Sequence, residues 1–157
     1  MFQGKMISLI IVWLISVLTY ANVFIIPPLL LHLMSSFDIS YERAGLLMAS
    51  FAIAYTISAI LAGHVSSRLG AKEGLLIGLA CIFGAQYAIS LTHHFYLLLA
   101  LRSLVGFGAA NVWISSVLYL KLHLPTSEWG KALGGLNAAV NVGATVVIGA
   151  APALAFG

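Results

Sequence analysis

Arg102 is the side chain with the most chemistry to offer. It stands inside an apolar run that begins at Phe95, about two helical turns earlier. Placing an arginine in hydrocarbon costs at least about 2.5 kcal/mol, so such residues usually face a protein interior or water and act there. The chemistry is that of a fixed positive charge, which can hold an anionic group or take part in proton coupling. The competing reading is that Arg102 only snorkels to nearby headgroups. Thr19, Asn22, Tyr55, Asn137 and Asn141 are uncharged polar residues within other apolar runs. They can line a cavity and bond a solute, or they can bond the backbone or a neighbouring helix.

Other chemistries lack their residues. No Asp or Glu stands inside an apolar run, and no Ser/His/Asp arrangement is present. Neither general acid–base nor nucleophilic catalysis is expected, and the chain does not read as an enzyme. Cys81 is the single cysteine, so there is no intrachain disulfide and no thiolate metal set. His93 and His94 are adjacent and point apart without a third ligand nearby, which favours interfacial histidines over a metal site. No cofactor and no metal are expected.

The elements that carry these residues follow from composition. The 157 residues are 62% hydrophobic and 7% charged, with a mean hydropathy of +1.09. Soluble domains carry about 25% charged residues, so this surface has to be solvated by lipid. A helix crosses the hydrocarbon with roughly 20 apolar residues. Five runs qualify, at about 7–33, 44–65, 74–91, 95–120 and 132–156. The chain therefore reads as one all-α transmembrane domain, a multi-pass protein of the cell membrane. The net charge of +3 is dispersed through the links, which argues against nucleic acid as a partner.

Within the runs, Pro27-Pro28 should bend or end the first helix. Ala52, Thr56, Ala59 and Gly63 form a small-residue face on the second, which predicts close packing there. Gly135, Ala139 and Gly143 predict another packing face on the fifth. Asn137, Asn141 and Thr145 lie about 200° around that helix and predict a polar face. Asn111 falls opposite Arg102, so the two should not share one narrow cavity. Ser40 is followed by Arg43 rather than Glu, so no capping box is expected.

Orientation comes from the positive-inside rule. Lys5, Arg68, Lys72, Lys121 and Lys131 fall on one side, and only Arg43 falls on the other. The N-terminus is expected inside and the C-terminus, after five spans, outside.

The segment between the second and third runs carries Gly63, Arg68, Gly70, Lys72 and Leu75, with Val65 and Ser66 as near matches. It resembles the G-x-L-A-D-R-x-G-R-K-x-x-L motif of the major facilitator superfamily. The fourth run carries Leu98, Arg102, Gly106, Gly108, Ala109 and Ala110, and resembles that family's L-x-x-x-R-x-x-Q-G-x-G-A-A motif. Departures are Ser67 at the acidic position of the loop, Ala71 at the following Arg position, and Val105 at the Gln position. The resemblance implies a helical bundle built from inverted three-helix repeats in two halves of six helices. Against that pattern this bundle is incomplete, lacking a sixth span and a C-terminal half.

The resemblance also implies secondary transport of a small solute by alternating access. Arg102, Asn22, Tyr55, Asn137 and Asn141 are then candidates for substrate or proton coupling. Gly63, Ser67, Arg68, Gly70 and Lys72 form the conformational loop motif, with Ser67 predicting a weak or absent outward-open latch. Gly106 and Gly108 form the helix motif. The partners would be the bilayer, a solute, and a missing half or second chain. The alternatives are a truncated, non-transporting membrane protein acting as an assembly partner, and an oligomer of five-span chains around a pore.

Overall fold

A computed structural model describes the backbone of residues 2–156, with side chains described outside residues 1–5, 32, 36, 65, 67 and 151–157. Lys5, Val65 and Ser67 therefore lie outside the described side chains. The helices are α1 (Phe2–Val23), α2 (Ile26–Phe37), α3 (Tyr41–Leu69), α4 (Ala71–Leu91), α5 (Phe95–His123) and α6 (Trp129–Phe156). A 3-10 turn at Thr126–Glu128 joins the last two. No strand occurs among the described residues.

Five stretches are long and apolar enough to cross a membrane: Met6–Leu31, Tyr41–His64, Ala71–Leu91, Phe95–His123 and Thr126–Ala150. Large apolar side chains point outward along them, including Ile11 and Leu14 on α1, Ile57 and Ile60 on α3, and Phe83 on α4. An outward surface this apolar belongs in lipid. The protein is an all-α membrane bundle.

The first stretch is broken. The regular helix ends at Val23, Phe24 and Ile25 form a turn, and Pro27 and Pro28 open α2. The break precedes the prolines because a proline removes the bond to the carbonyl four residues earlier. Pro27 frees the Val23 carbonyl and Pro28 frees that of Phe24. Ser40 caps α3, its hydroxyl accepting from the Arg43 N–H at 3.4 Å.

α5 is the central helix, packed most extensively on α3 and α4 and also touching α1 and α6. Glycine permits the close approaches. A Cβ at Gly106 would lie 2.5 Å from the Phe51 carbonyl on α3, and one at Gly108 would lie 2.6 Å from the Gly78 carbonyl on α4. α6 packs chiefly on α1.

One packing expectation is not met within this bundle. Ala52, Thr56 and Gly63 on α3 are exposed, Ala59 is only partly covered, and a Cβ at Gly63 would meet nothing within 4 Å. The Thr56 hydroxyl bonds the Ala52 carbonyl of its own helix at 2.8 Å. α3 packs instead through Ala44, Leu47, Ser58, Ala62 and Ser66. α3 packs through a different small-residue stripe, Ser58, Ala62 and Ser66, with Ser66 bonded to Ser115 of α5. The expected face on α6 does pack: Gly135 lies under the Trp13 ring, Ala139 is buried, and Gly143 meets the Val17 carbonyl.

Candidate functional site

α5 carries Arg102 into the interior, where it is 1% exposed. It does not snorkel, and that reading is set aside. Its Nη2 donates to the Val23 carbonyl at 2.8 Å. Its guanidinium lies over the Phe51 ring, 5.0 Å from the centroid. Nε and Nη1 have no hydrogen-bond partner among the described residues. All four acids, Asp38, Glu42, Glu73 and Glu128, sit near helix ends.

Two costs therefore offset each other. A carbonyl freed in hydrocarbon costs several kcal/mol if left bare. A buried arginine also needs acceptors. A hydrogen bond to a charged group contributes about 1.5–3 kcal/mol, and a desolvated cation–π contact about 2. The α1 break and Arg102 satisfy each other in part, leaving two guanidinium nitrogens, Nε and Nη1, open to a further acceptor.

Asn22 and Tyr55 gather around the same break. The Gln86 amide of α4 donates to Asn22 Oδ1. Tyr55 of α3 stacks on Phe51 at 5.9 Å and interacts with the Tyr20 hydroxyl. Tyr20 meets Trp113 of α5 edge-on at 6.1 Å. So α3, α4 and α5 each send a polar side chain to the last turn of α1. Thr19, one residue before Tyr20, is buried with its hydroxyl unpartnered among the described residues.

Asn137 and Asn141 do not join this cluster. Both are exposed on α6 and bond their own helix, to the Leu133 carbonyl at 3.0 Å and the Asn137 carbonyl at 2.8 Å. Asn111 is buried with Nδ2 bonded to the Phe107 carbonyl at 2.9 Å. The candidate residues thus form two sets, one around Arg102 and one on the open face of α6.

The loop motif is more compact than a loop. α3 continues to Leu69 and α4 begins at Ala71, so Gly70 alone links them. Its φ of +109° favours glycine. Arg68 and Lys72 are exposed on either side of it. Beside them Ser66 bonds Ser115 of α5, Oγ to Oγ at 2.9 Å, with both buried. A Cβ at Gly74 would run into both hydroxyls.

Sequence reasoning passed over Gln86 and the Val23 carbonyl. The signal for Val23 was Pro27, four residues later. The signal for Gln86 was only that a strongly polar amide stood in an apolar run. Among the described residues no cluster of three or more His, Cys, Asp or Glu could hold a metal.

A bundle of membrane helices around a buried arginine and a proline-broken helix defines a multi-pass membrane protein. The Major Facilitator Superfamily profile matches residues 12–157. The chain belongs to the major facilitator superfamily. It is similar to the uncharacterized MFS-type transporter YceJ of Bacillus subtilis, 27% identical over 78% of this chain and 32% of the relative. It is similar to multidrug resistance protein 2 of Bacillus subtilis, 27% identical over 83% of this chain and 33% of the relative. It is also similar to the quinolone resistance protein NorA of Staphylococcus aureus, 24% identical over 80% of this chain and 32% of the relative. The chain spans about a third of the length of these relatives. Family and fold together place it in the cell membrane as a multi-pass protein.

Proposed function

We propose that residues 1–157 supply the N-terminal part of a secondary transporter that moves a small organic solute by alternating access. It is not an enzyme. The N-terminus is cytoplasmic and five spans carry the chain to an external C-terminal end, the orientation that the bias of Lys and Arg supports. Gly70, with Arg68 and Lys72 beside it, lies on the cytoplasmic face. The solute passes at the midplane between this part and a further half, supplied by the same chain or a second one.

The observation that carries this reading is the buried Arg102 at the break in α1, with two guanidinium nitrogens still open to an acceptor. A charge kept in hydrocarbon beside a broken helix is costly, and such sites are functional by default. Arg102 serves as the coupling group, and Asn22 and Tyr55 bound it through α4 and α3. Asn137 and Asn141 form a separate polar stripe along the solute path. The resistance names of two relatives favour an organic solute over an ion.

The test is flux in proteoliposomes made with the full-length protein, using a fluorescent quinolone as the probe. Gradient-driven flux that is lost in Arg102→Ala, with the protein still folded, supports the proposal. Full flux in Arg102→Ala removes the coupling role. No flux for this or a broader solute panel, with another membrane chain co-purifying, favours the assembly-partner reading.

A further inference from the structure

Two buried hydroxyls between α1 and α5 depart from the habit of this bundle. Ser16, Ser50, Thr56, Ser90 and Ser103 each donate to a carbonyl of their own helix, at 2.7–3.1 Å. Back-bonding of this kind is the ordinary way to satisfy a hydroxyl inside a helix. Thr19 Oγ1 and Ser116 Oγ have no partner among the described residues, and both residues are buried. A buried polar atom left bare is costly, and such atoms are paired with protein or with ordered water.

Packing brings the two hydroxyls to one corner. α1 and α5 run antiparallel: Val12 shares a cluster with Leu120, and Tyr20 shares one with Val112 and meets Trp113. That register sets Ser16 level with Ser116, and Thr19 about 4.5 Å further along the axis. Both hydroxyls stand on the side toward α4. Thr19 lies three residues before Asn22, which accepts from Gln86 of α4. Ser116 lies four residues after Val112, whose side chain is against Gly78 of α4. Residues three or four apart share a helix face. Leu75 of α4 is buried in the same cluster as Tyr20 and Val112, so the surroundings are apolar.

We infer that the corner between α1, α4 and α5 binds an internal water that bridges Thr19 and Ser116. An axial offset of about 4.5 Å is too long for one hydrogen bond and within the roughly 5.5 Å that two in series span. The water accepts from one hydroxyl and donates to the other. Ser16, also buried, gives its proton to the Val12 carbonyl, and its oxygen can accept the second water proton. Buried waters make about three hydrogen bonds, the number these hydroxyls offer. A metal cation is a poor occupant, because hard cations take about six or more oxygens and favour carboxylates. All four acids stand near helix ends. Thr19 precedes Val23 by about one turn. α1 is therefore held on α5 twice, by Arg102 at its break and by the water one turn earlier.

Two measurements on the full-length protein test this. Radical footprinting oxidises buried side chains where a bound water supplies the radical. Val112, 0% exposed and one turn from Ser116, should be oxidised. Leu98, 1% exposed in the α3–α5 contact, should be several-fold less so after correction for intrinsic reactivity. Thermal melts of Thr19→Val, Ser116→Ala and the double variant read the bridge. Each single change takes one partner from the water and should lower the midpoint. The double variant should lose less than the sum, since neither hydroxyl then remains to be satisfied. Val112 as protected as Leu98 would overturn the site. Additive changes in the melts would overturn the bridge, and midpoints raised by both single changes would mark the hydroxyls as dry. A midpoint raised by sodium over potassium, and not in the double variant, would assign the corner to a cation instead.

Discussion

Val23 stands four residues before Pro27, and its carbonyl is the one that Arg102 Nη2 holds at 2.8 Å. The proline removes the intrahelical donor, and the arginine replaces it from another helix. The break in α1 and the buried charge in α5 are thus one feature of the protein. Loss of either partner should be felt at the other.

Gly108→Ala should weaken the α4–α5 contact. Its new Cβ would lie 2.6 Å from the Gly78 carbonyl, and overpacking of this kind costs about 1–3 kcal/mol. Gly108→Leu should prevent a folded bundle. A thermal melt of the detergent-solubilised protein checks both, and a melt unchanged by Gly108→Leu would contradict the packing described.

Gly70→Ala should destabilise the α3–α4 corner, because the φ of +109° suits glycine alone. The expected cost is about 1–3 kcal/mol. Gly63→Ala in the same motif should be silent, since a Cβ there meets nothing within 4 Å. Equal melts for the two variants would count against the one-residue corner.

Ser66→Ala and Ser115→Ala should each cost about 1–3 kcal/mol, because each strands a buried hydroxyl. The double variant should cost less than the sum, since neither hydroxyl is then left without its partner. Additive losses would show that the two hydroxyls do not depend on one another.

Asn141→Leu should leave stability within about 0.5 kcal/mol, since Asn141 is exposed and bonds its own helix at the Asn137 carbonyl. If α6 lines the solute path, quinolone flux through the full-length protein should fall several-fold. A variant with unchanged flux would remove the stripe from the path.

The five spans were legible because a lipid-facing helix is apolar on nearly every side. Arg102 was legible because a lone charge in such a run stands out. Its partner was half legible, since Pro27 marks the freed carbonyl but not the helix that would reach it. The face of α3 was misread because small residues show where a close approach is allowed, not which helix provides it. The small residues that pack are Ser58, Ala62 and Ser66, around the helix from Ala52 and Gly63, which are left outside. The Asn22–Gln86 bond was not legible, because two uncharged amides on helices distant in sequence carry no mark of their pairing. The link between α3 and α4 shrank to Gly70 because Arg68 and Lys72 end an apolar run without ending a helix.

The most direct measurement is a double-mutant cycle of Pro27→Ala and Arg102→Met, read as thermal stability of the full-length protein. Arg102→Met alone should cost about 1.5–3 kcal/mol by losing a charged hydrogen bond to a bare carbonyl. With Ala at position 27 the Val23 carbonyl regains a donor in its own helix, and the same change should cost at least about 1 kcal/mol less. A coupling of that size and sign is the result expected. Additive effects would contradict the account, because Arg102 would then be holding something other than the carbonyl that Pro27 sets free.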